Sequence, residues 1–384
     1  MTKSLAADWH AQLRRLSRVQ ARTETRVKSW LERFDSLNPL TPPRPQDVPS
    51  RPPRPAVVPA TPPTTPPWSP RSARSARSAW AAITPDELPG TWQAHRLRLA
   101  ALPGELVPQL SYQLYIPSKR HRGPLPVVVL LHGCRQTPDA ISAGTRMNAL
   151  AEQEGFIVAY PQQPLRRQVQ RCWQWFDLSA AEGGREAHAV SALLDALAAR
   201  QDVREREIYI AGMSAGAAMA AVVALRYPGK VAAVAMHSGV VIGAANTPHS
   251  GLYAMRHGAT AEPAWLLDAA GVTPGGPAMP ALVIHGLADD AVHPVNGRLL
   301  ARQFLAYNGL EDRLAATPDP APAEEPGRCR EYRFGRWSRD LVALVEVEGL
   351  DHAWSGGDAS YGFHSDIGPD ASAMMWDFLR QHRR

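Results

Sequence analysis

Ser214 lies in Gly212-Met213-Ser214-Ala215-Gly216, and the residues on either side give that pentapeptide chemical meaning. Before it, Glu207-Ile208-Tyr209-Ile210-Ala211 is β-branched and aromatic, the composition of a buried strand; after it, Ala217-Ala218-Met219-Ala220-Ala221 is a helix former with no breaker until Pro228. G-x-S-x-G between a strand and a helix predicts a nucleophile elbow. The turn is so tight that both glycines are needed, and it lifts the serine hydroxyl clear of the sheet at the start of the helix. A serine is a weak nucleophile alone, so this chemistry requires a histidine base, an acid to orient it, and N–H donors for the oxyanion.

Candidates follow in the order Ser, acid, His, which is the order found in α/β-hydrolases. Pro280-Ala281-Leu282-Val283-Ile284-His285-Gly286 reads as a short buried strand followed by Asp289 and Asp290; residues 341–347 read as another, followed by Asp351 and His352. Asp289 and His352 are therefore the expected acid and base. A further buried strand is expected over Pro126-Val127-Val128-Val129-Leu130-Leu131-His132-Gly133-Cys134, with H-G at its end. The loop after such a strand supplies one oxyanion donor, here the backbone N–H of Cys134, and Ala215, directly after the nucleophile, supplies the other. His132, His237, His285 and His293 compete for the role of base, but their positions at strand ends suit satisfaction of loop carbonyls better.

The elements that must position these residues form an α/β domain with a mostly parallel central sheet, expected over residues 81–384. Two edge strands open it, over residues 93–102 and 110–116. A final helix from Asp370, with Met374, Met375, Phe378 and Leu379 inward, packs on the sheet.

Ahead of that domain the composition changes. Residues 1–80 carry 14 Lys plus Arg against 5 Asp plus Glu, a balance of +9, whereas the whole chain is +6, so the remainder is −3. The basic character belongs to the N-terminal extension, and no nucleic-acid partner is implied. Within residues 1–35, Leu5, Trp9, Leu13, Leu16, Val19, Thr23, Val27, Trp30 and Phe34 recur at an average of about 3.6 residues, which predicts one amphipathic helix over residues 4–35 with Arg14, Arg15, Arg18, Arg22 and Arg26 on its polar face. Such a helix suits a granule or membrane surface, a partner protein, or its own catalytic domain. Residues 36–80 read as a linker, since 14 of the 32 residues from 39 to 70 are proline. The opening residues lack the apolar run of a secretory signal, so a cytoplasmic location is the default expectation.

Several separate motifs, in order, resemble the poly(3-hydroxybutyrate) depolymerase family of esterases, which is related to feruloyl and acetylxylan esterases: Leu131-His132-Gly133-Cys134-Arg135-Gln136, Ala159-Tyr160-Pro161, Arg171-Cys172-Trp173-Gln174-Trp175-Phe176, the elbow, His237-Ser238-Gly239, and His352-Ala353-Trp354-Ser355-Gly356-Gly357. The resemblance covers residues 92–382. It implies an α/β-hydrolase that attacks esters through Ser214, with Asp289 within H-G-x-x-D as the acid and His352 as the base, and with neither metal nor organic cofactor. The implied substrate is a polyester or small ester, poly- or oligo(3-hydroxybutyrate) first and feruloyl or acetyl esters second; a granule-binding protein with a weak hydrolase domain is a third reading. The chain departs from the family pattern at Asp290, where a small or hydroxyl residue is usual, and at Asp351, where a glycine is expected. Related secreted enzymes suggest a disulfide between Cys134 and Cys172, whereas a cytosolic protein keeps both as thiols; the family is largely extracellular, so both states stay open. Cys329 is then the odd thiol. Trp173, Trp175 and Trp354 either line an acyl or polyester groove as substrate-binding residues or seat the loops from the core.

Overall fold

The computed structural model describes residues 88–103, 105–118, 123–315, 325–336 and 339–384. The helix expected over residues 4–35 and the linker over 36–80 lie outside the described residues. A nine-stranded sheet runs through the described chain: β1 (Thr91–Arg98), β2 (Gln109–Ile116), β3 (Leu125–Leu131), β4 (Ile157–Gln162), β5 (Val203–Met213), β6 (Val234–His237), β7 (Ala281–Gly286), β8 (Cys329–Arg336) and β9 (Arg339–Val347), in the spatial order β1-β2-β4-β3-β5-β6-β7-β9-β8. The six strands from β4 to β9 in that order are parallel, and antiparallel strands close both ends.

Strand composition explains the order. β3 and β7 are buried along their whole length, as central parallel strands must be, while β1 and β8 alternate toward solvent as edges do. Alternation divides the core in two. Val127, Val129, Leu131, Ile208 and Ile210 face one layer with helices α3 (Gly183–Ala198), α4 (Ala215–Arg226) and α7 (Val295–Tyr307). Val128, Leu130, Tyr209, Ala211 and Met213 face the other, with α1 (Pro138–Thr145), α2 (Met147–Glu154) and α8 (Ala371–Leu379). Two further helices, α5 (Pro248–His257) and α6 (Pro263–Ala269), lie between β6 and β7. Met375 and Leu379 of α8 are buried, and Asp370 caps it by accepting the Ala373 N–H at 3.0 Å.

Helix α4 is buried from Ala215 through Leu225, an apolar cylinder whose small side chains let it approach the sheet closely. Register then gathers the carboxyl ends of the parallel strands at one edge: Leu131 pairs Gly212, Met213 pairs His237, and Gly286 pairs Val347. Loops leaving that edge carry the candidate residues, as open parallel sheets generally arrange. β1 lies earlier than its composition suggested, because pairing of Thr91 with Ile116 through to Arg98 with Gln109 fixes its ends. β3 stops at Leu131, short of Cys134, because Gly133 turns its N–H onto the Gln136 side chain at 2.7 Å.

Candidate active site

Ser214 stands between β5 and α4 with φ 55° and ψ −121°, a left-handed conformation that a non-glycine residue adopts only where its surroundings enforce it. Those surroundings are specific. The Ser214 N–H donates to the His237 carbonyl at 2.8 Å, and the Ser214 carbonyl accepts from Ala218 at 3.0 Å. A Cβ on Gly212 would collide with the Gly216 carbonyl, and a Cβ on Gly216 with the Leu131 and His132 carbonyls. Both elbow glycines are thus required by packing of backbone on backbone.

The Ser214 Oγ lies 2.9 Å from His352 Nε2, and His352 Nδ1 lies 2.7 Å from Asp289 Oδ2. Asp289 Oδ1 accepts the N–H groups of Ala291 and Val292 at 3.1 and 2.7 Å, which fixes the carboxylate plane. Burial pushes the Asp289 carboxyl pKa up, but hydrogen bonds from His285 and His352 outweigh it and hold the pKa well below the usual carboxylate range. An ionised Asp289 can only accept, so His352 carries its proton on Nδ1. That leaves Nε2 as an acceptor for the serine hydroxyl.

The loop of residues 132–134 passes directly over the elbow: a Cβ on Gly133 would lie 3.5 Å from Ser214 Cβ. Neither the Cys134 N–H nor the Ala215 N–H has an acceptor among the described residues. Ala215 is the first residue of α4, where a free N–H and the positive end of the helix both favour an anion. Cys134 and Cys172 are joined as a disulfide, and Cys329 is a free thiol.

His132 and His237 occupy the same edge in neutral, satisfied states. His132 accepts the Gln163 N–H at Nε2 (3.1 Å) and so donates from Nδ1 to the Gly133 carbonyl at 2.8 Å; burial pushes its pKa down to about 4. His237 accepts the Ser355 N–H at Nε2 (3.2 Å) and donates from Nδ1 to Ser238 Oγ at 3.1 Å, its pKa pushed down to about 3 by burial and then by the nearby His285 and His352. His285 donates from Nε2 to the Val292 carbonyl at 2.8 Å and lies 3.5 Å from Asp289 Oδ2. It braces the acid without reaching the serine. His293 accepts the Val295 N–H at Nδ1, 3.2 Å away.

Asp290 and Asp351 are both exposed and take no part in the Ser214–His352–Asp289 relay. The substrate-lining expectation for the tryptophans is corrected by their burial: Trp173, Trp175 and Trp354 are 0%, 4% and 0% exposed. Trp173 donates from Nε1 to the His132 carbonyl at 3.1 Å; Trp354 stacks on His237 at 5.2 Å and donates to Ser372 Oγ at 3.2 Å; Trp175 packs edge-on against Phe176. They seat the loops. Sequence reasoning passed over Ser355, Gln163 and Glu186, whose partners lie far away in the chain.

No group of three or more His, Cys, Asp or Glu side chains that could hold a metal ion occurs among the described residues, and no described helix is long and apolar enough to cross a membrane. A cavity of about 360 Å³ lies apart from Ser214, beneath residues 163–173, and Leu110, Gln163, Trp173, Arg185 and Glu186 contribute to its wall.

The chain is 34% identical over 233 residues to poly(3-hydroxyalkanoate) depolymerase C of Paucimonas lemoignei, a stretch that covers 59% of this chain and 54% of that protein. It is 26% identical over 273 residues to a probable acetylxylan esterase A of Aspergillus clavatus, covering 66% of this chain and 85% of that one. Among solved structures, an acetyl xylan esterase from Aspergillus awamori superposes with a TM-score of 0.55 at 20% identity, over 68% of this chain and 94% of that one, a likeness of fold. The chain thus spans about half the length of the depolymerase and most of the length of the esterases. A family profile described as Esterase PHB depolymerase matches residues 110–325, more than half of the chain and the span that holds Cys134, Ser214 and Asp289; the chain belongs to that family, on an α/β-hydrolase fold.

Proposed function

We propose that this chain is a serine carboxylic-ester hydrolase that works through an acyl-enzyme, with poly- or oligo(3-hydroxybutyrate) and similar short-chain hydroxyacid esters as substrates. The observation that carries the reading is the unbroken relay from Ser214 Oγ through His352 to Asp289, with hydrogen bonds of 2.9 and 2.7 Å. Family membership and the 34% identity to a polyhydroxyalkanoate depolymerase support the substrate class.

In this mechanism the Ser214 oxygen attacks the ester carbonyl carbon as its proton passes to His352 Nε2. Asp289, ionised and fixed, stabilises the imidazolium and takes no proton itself. Negative charge develops on the carbonyl oxygen, which the Cys134 and Ala215 N–H groups receive; one such donor is typically worth about 100- to 1,000-fold in kcat. Collapse breaks the bond to the alkoxy group, which leaves as the alcohol with the proton from His352. Water then attacks the acyl-enzyme with His352 again as base. The free acid departs and Ser214 regains its proton.

The similarity to acetylxylan esterases over 85% of one such chain keeps acetyl or feruloyl esters of plant polysaccharide as the second reading. One assay separates the two: release of 3-hydroxybutyrate from amorphous polymer against release of acetate or ferulate from substituted xylan, with wild type and Ser214→Ala in parallel. Ser214-dependent hydroxybutyrate with xylan untouched is the expected result. Activity on xylan alone moves the substrate to the second reading and leaves the triad standing.

A further inference from the structure

Residues 163–174 form a strap across the loop of residues 132–135, and four ties join the two. The Gln163 N–H donates to His132 Nε2 at 3.1 Å, the Arg135 N–H donates to the Gln170 carbonyl at 2.6 Å, Trp173 Nε1 donates to the His132 carbonyl at 3.1 Å, and Cys172 is bonded to Cys134. The middle of the strap has little apolar anchorage of its own: Leu165 and Val169 are 53% and 80% exposed. Polar ties hold that middle, with Arg166 donating to the Val107 carbonyl at 3.2 Å and Arg167 to the Ala181 carbonyl at 2.8 Å, and the ends are fastened separately.

Both ends converge on one carboxylate. Glu186, in the first turn of α3 and 3% exposed, accepts the Gln174 N–H on Oε2 at 2.7 Å and the Gln163 side-chain amide on Oε1; the Gln174 side-chain amide reaches Oε1 at 3.4 Å. The same Gln163 amide also donates to the Cys172 carbonyl at 3.1 Å, so the disulfide half-cystine is drawn into the knot. Arg167 supplies a cation 3.8 Å from Oε1, and the start of a helix favours a negative charge there. A carboxylate that receives several donors in a buried site is costly to remove, because each donor is then left unsatisfied.

We propose that Glu186 is a positioning residue for the oxyanion loop: it closes the strap at both ends and so holds, through His132 and the Cys134–Cys172 bond, the Cys134 N–H at the point where the oxyanion forms. This rests on the reading of Cys134 as an oxyanion donor. Displacement of such a donor by about 1 Å costs on the order of 100-fold in rate. Glu186 itself touches no substrate, so the role must express itself in the transition state and not in ester binding.

The test uses the full 384-residue chain, a short-chain nitrophenyl ester, and a boronic acid whose tetrahedral adduct on Ser214 mimics the oxyanion. Active sites are counted by the end-point of irreversible titration, so that loss of folded protein is not read as loss of rate. Glu186→Ala is expected to lower kcat per titrated site roughly 10- to 100-fold with KM within threefold, and to weaken the boronate by a similar factor. The adjoining cavity gives formate access to the vacated position, and added formate is expected to restore part of kcat. Gln163→Ala, which cuts one end of the strap and keeps the carboxylate, is expected to act in the same direction by roughly 3- to 10-fold, and it stands in if Glu186→Ala does not fold. A kcat per titrated site within twofold of wild type, or a fall in kcat without matching loss of boronate affinity, overturns the proposal. Activity that survives Ser214→Ala strikes the serine reading itself; an inactive Ser214→Ala beside a full-rate Glu186→Ala strikes only the role of Glu186.

Discussion

Two adjacent aspartates follow the same strand, and their surroundings make opposite predictions for them. Asp289 is 3% exposed and receives two backbone N–H groups besides His352, whereas Asp290 is exposed. Asp289→Asn puts an amide where the carboxylate held the tautomer, and kcat is expected to fall on the order of 10,000-fold. Asp290→Asn and Asp351→Asn are expected to stay within about twofold, since surface changes away from such features are nearly neutral; steady-state kinetics on one soluble ester checks all three. Asp289 is legible in the sequence as the candidate acid because H-G-x-x-D fixes a spacing after a strand, and a spacing is local information. The tryptophans are not. An indole has an apolar body and one donor, and only the packing around Trp173 and Trp354 reveals that both ends are consumed internally. Glu186 was illegible for a related reason: its meaning comes from residues 163 and 174 meeting in space.

The elbow is the element on which the site depends, and its glycines can be tested apart from the chemistry. A Cβ at Gly216 meets the carbonyls of Leu131 and His132, which are backbone and cannot swing away, so Gly216→Ala is expected to cost on the order of 3 kcal/mol or to prevent folding. Gly229 has nothing within 4 Å of a built Cβ, and Gly229→Ala is expected to change stability by less than about 1 kcal/mol. Urea unfolding of both variants beside wild type measures the contrast. Strands β7 and β9 were found where their apolar runs predicted, because a buried parallel strand is apolar on both faces. The bounds of β1 escaped that logic: six of its eight residues are exposed, so register with β2 sets its ends and composition does not.

Acid should destabilise the whole molecule through its buried histidines. His132 and His237 are 0% exposed, with pKa values pushed down to about 4 and about 3, and His382 is pushed down to about 4 as well, each chiefly by burial. Unfolded histidine titrates near ~6.5, so below that pH the unfolded chain binds protons that the native state refuses. The stabilisation is therefore complete above about pH 6.5 and is lost progressively as pH falls toward 4 and then 3. Loss on the order of 4 kcal/mol at His237 alone is expected, and His237→Gln, whose amide can both donate and accept, should flatten the slope of unfolding free energy against pH in that window. Asp289 acts in the same direction at lower pH: its depressed pKa adds stability above the ordinary carboxylate range that is lost as pH falls through it. Charge divides along the chain, +9 over residues 1–80 and −3 over the rest, and only the latter part holds the candidate site. We propose the basic segment as a granule or membrane anchor; deletion of residues 1–80 should then abolish co-sedimentation with polymer granules or anionic vesicles while leaving soluble-ester turnover intact, and unchanged sedimentation excludes that role. The central claim, that Ser214 carries the acyl group, is tested most directly by acid-quenching the enzyme in the first turnover of a short-chain nitrophenyl ester and weighing its peptides. The account predicts one added acyl mass on the peptide that contains Ser214 and none in Ser214→Ala, which should also be inactive; an unlabelled Ser214 together with full turnover by Ser214→Ala would contradict it.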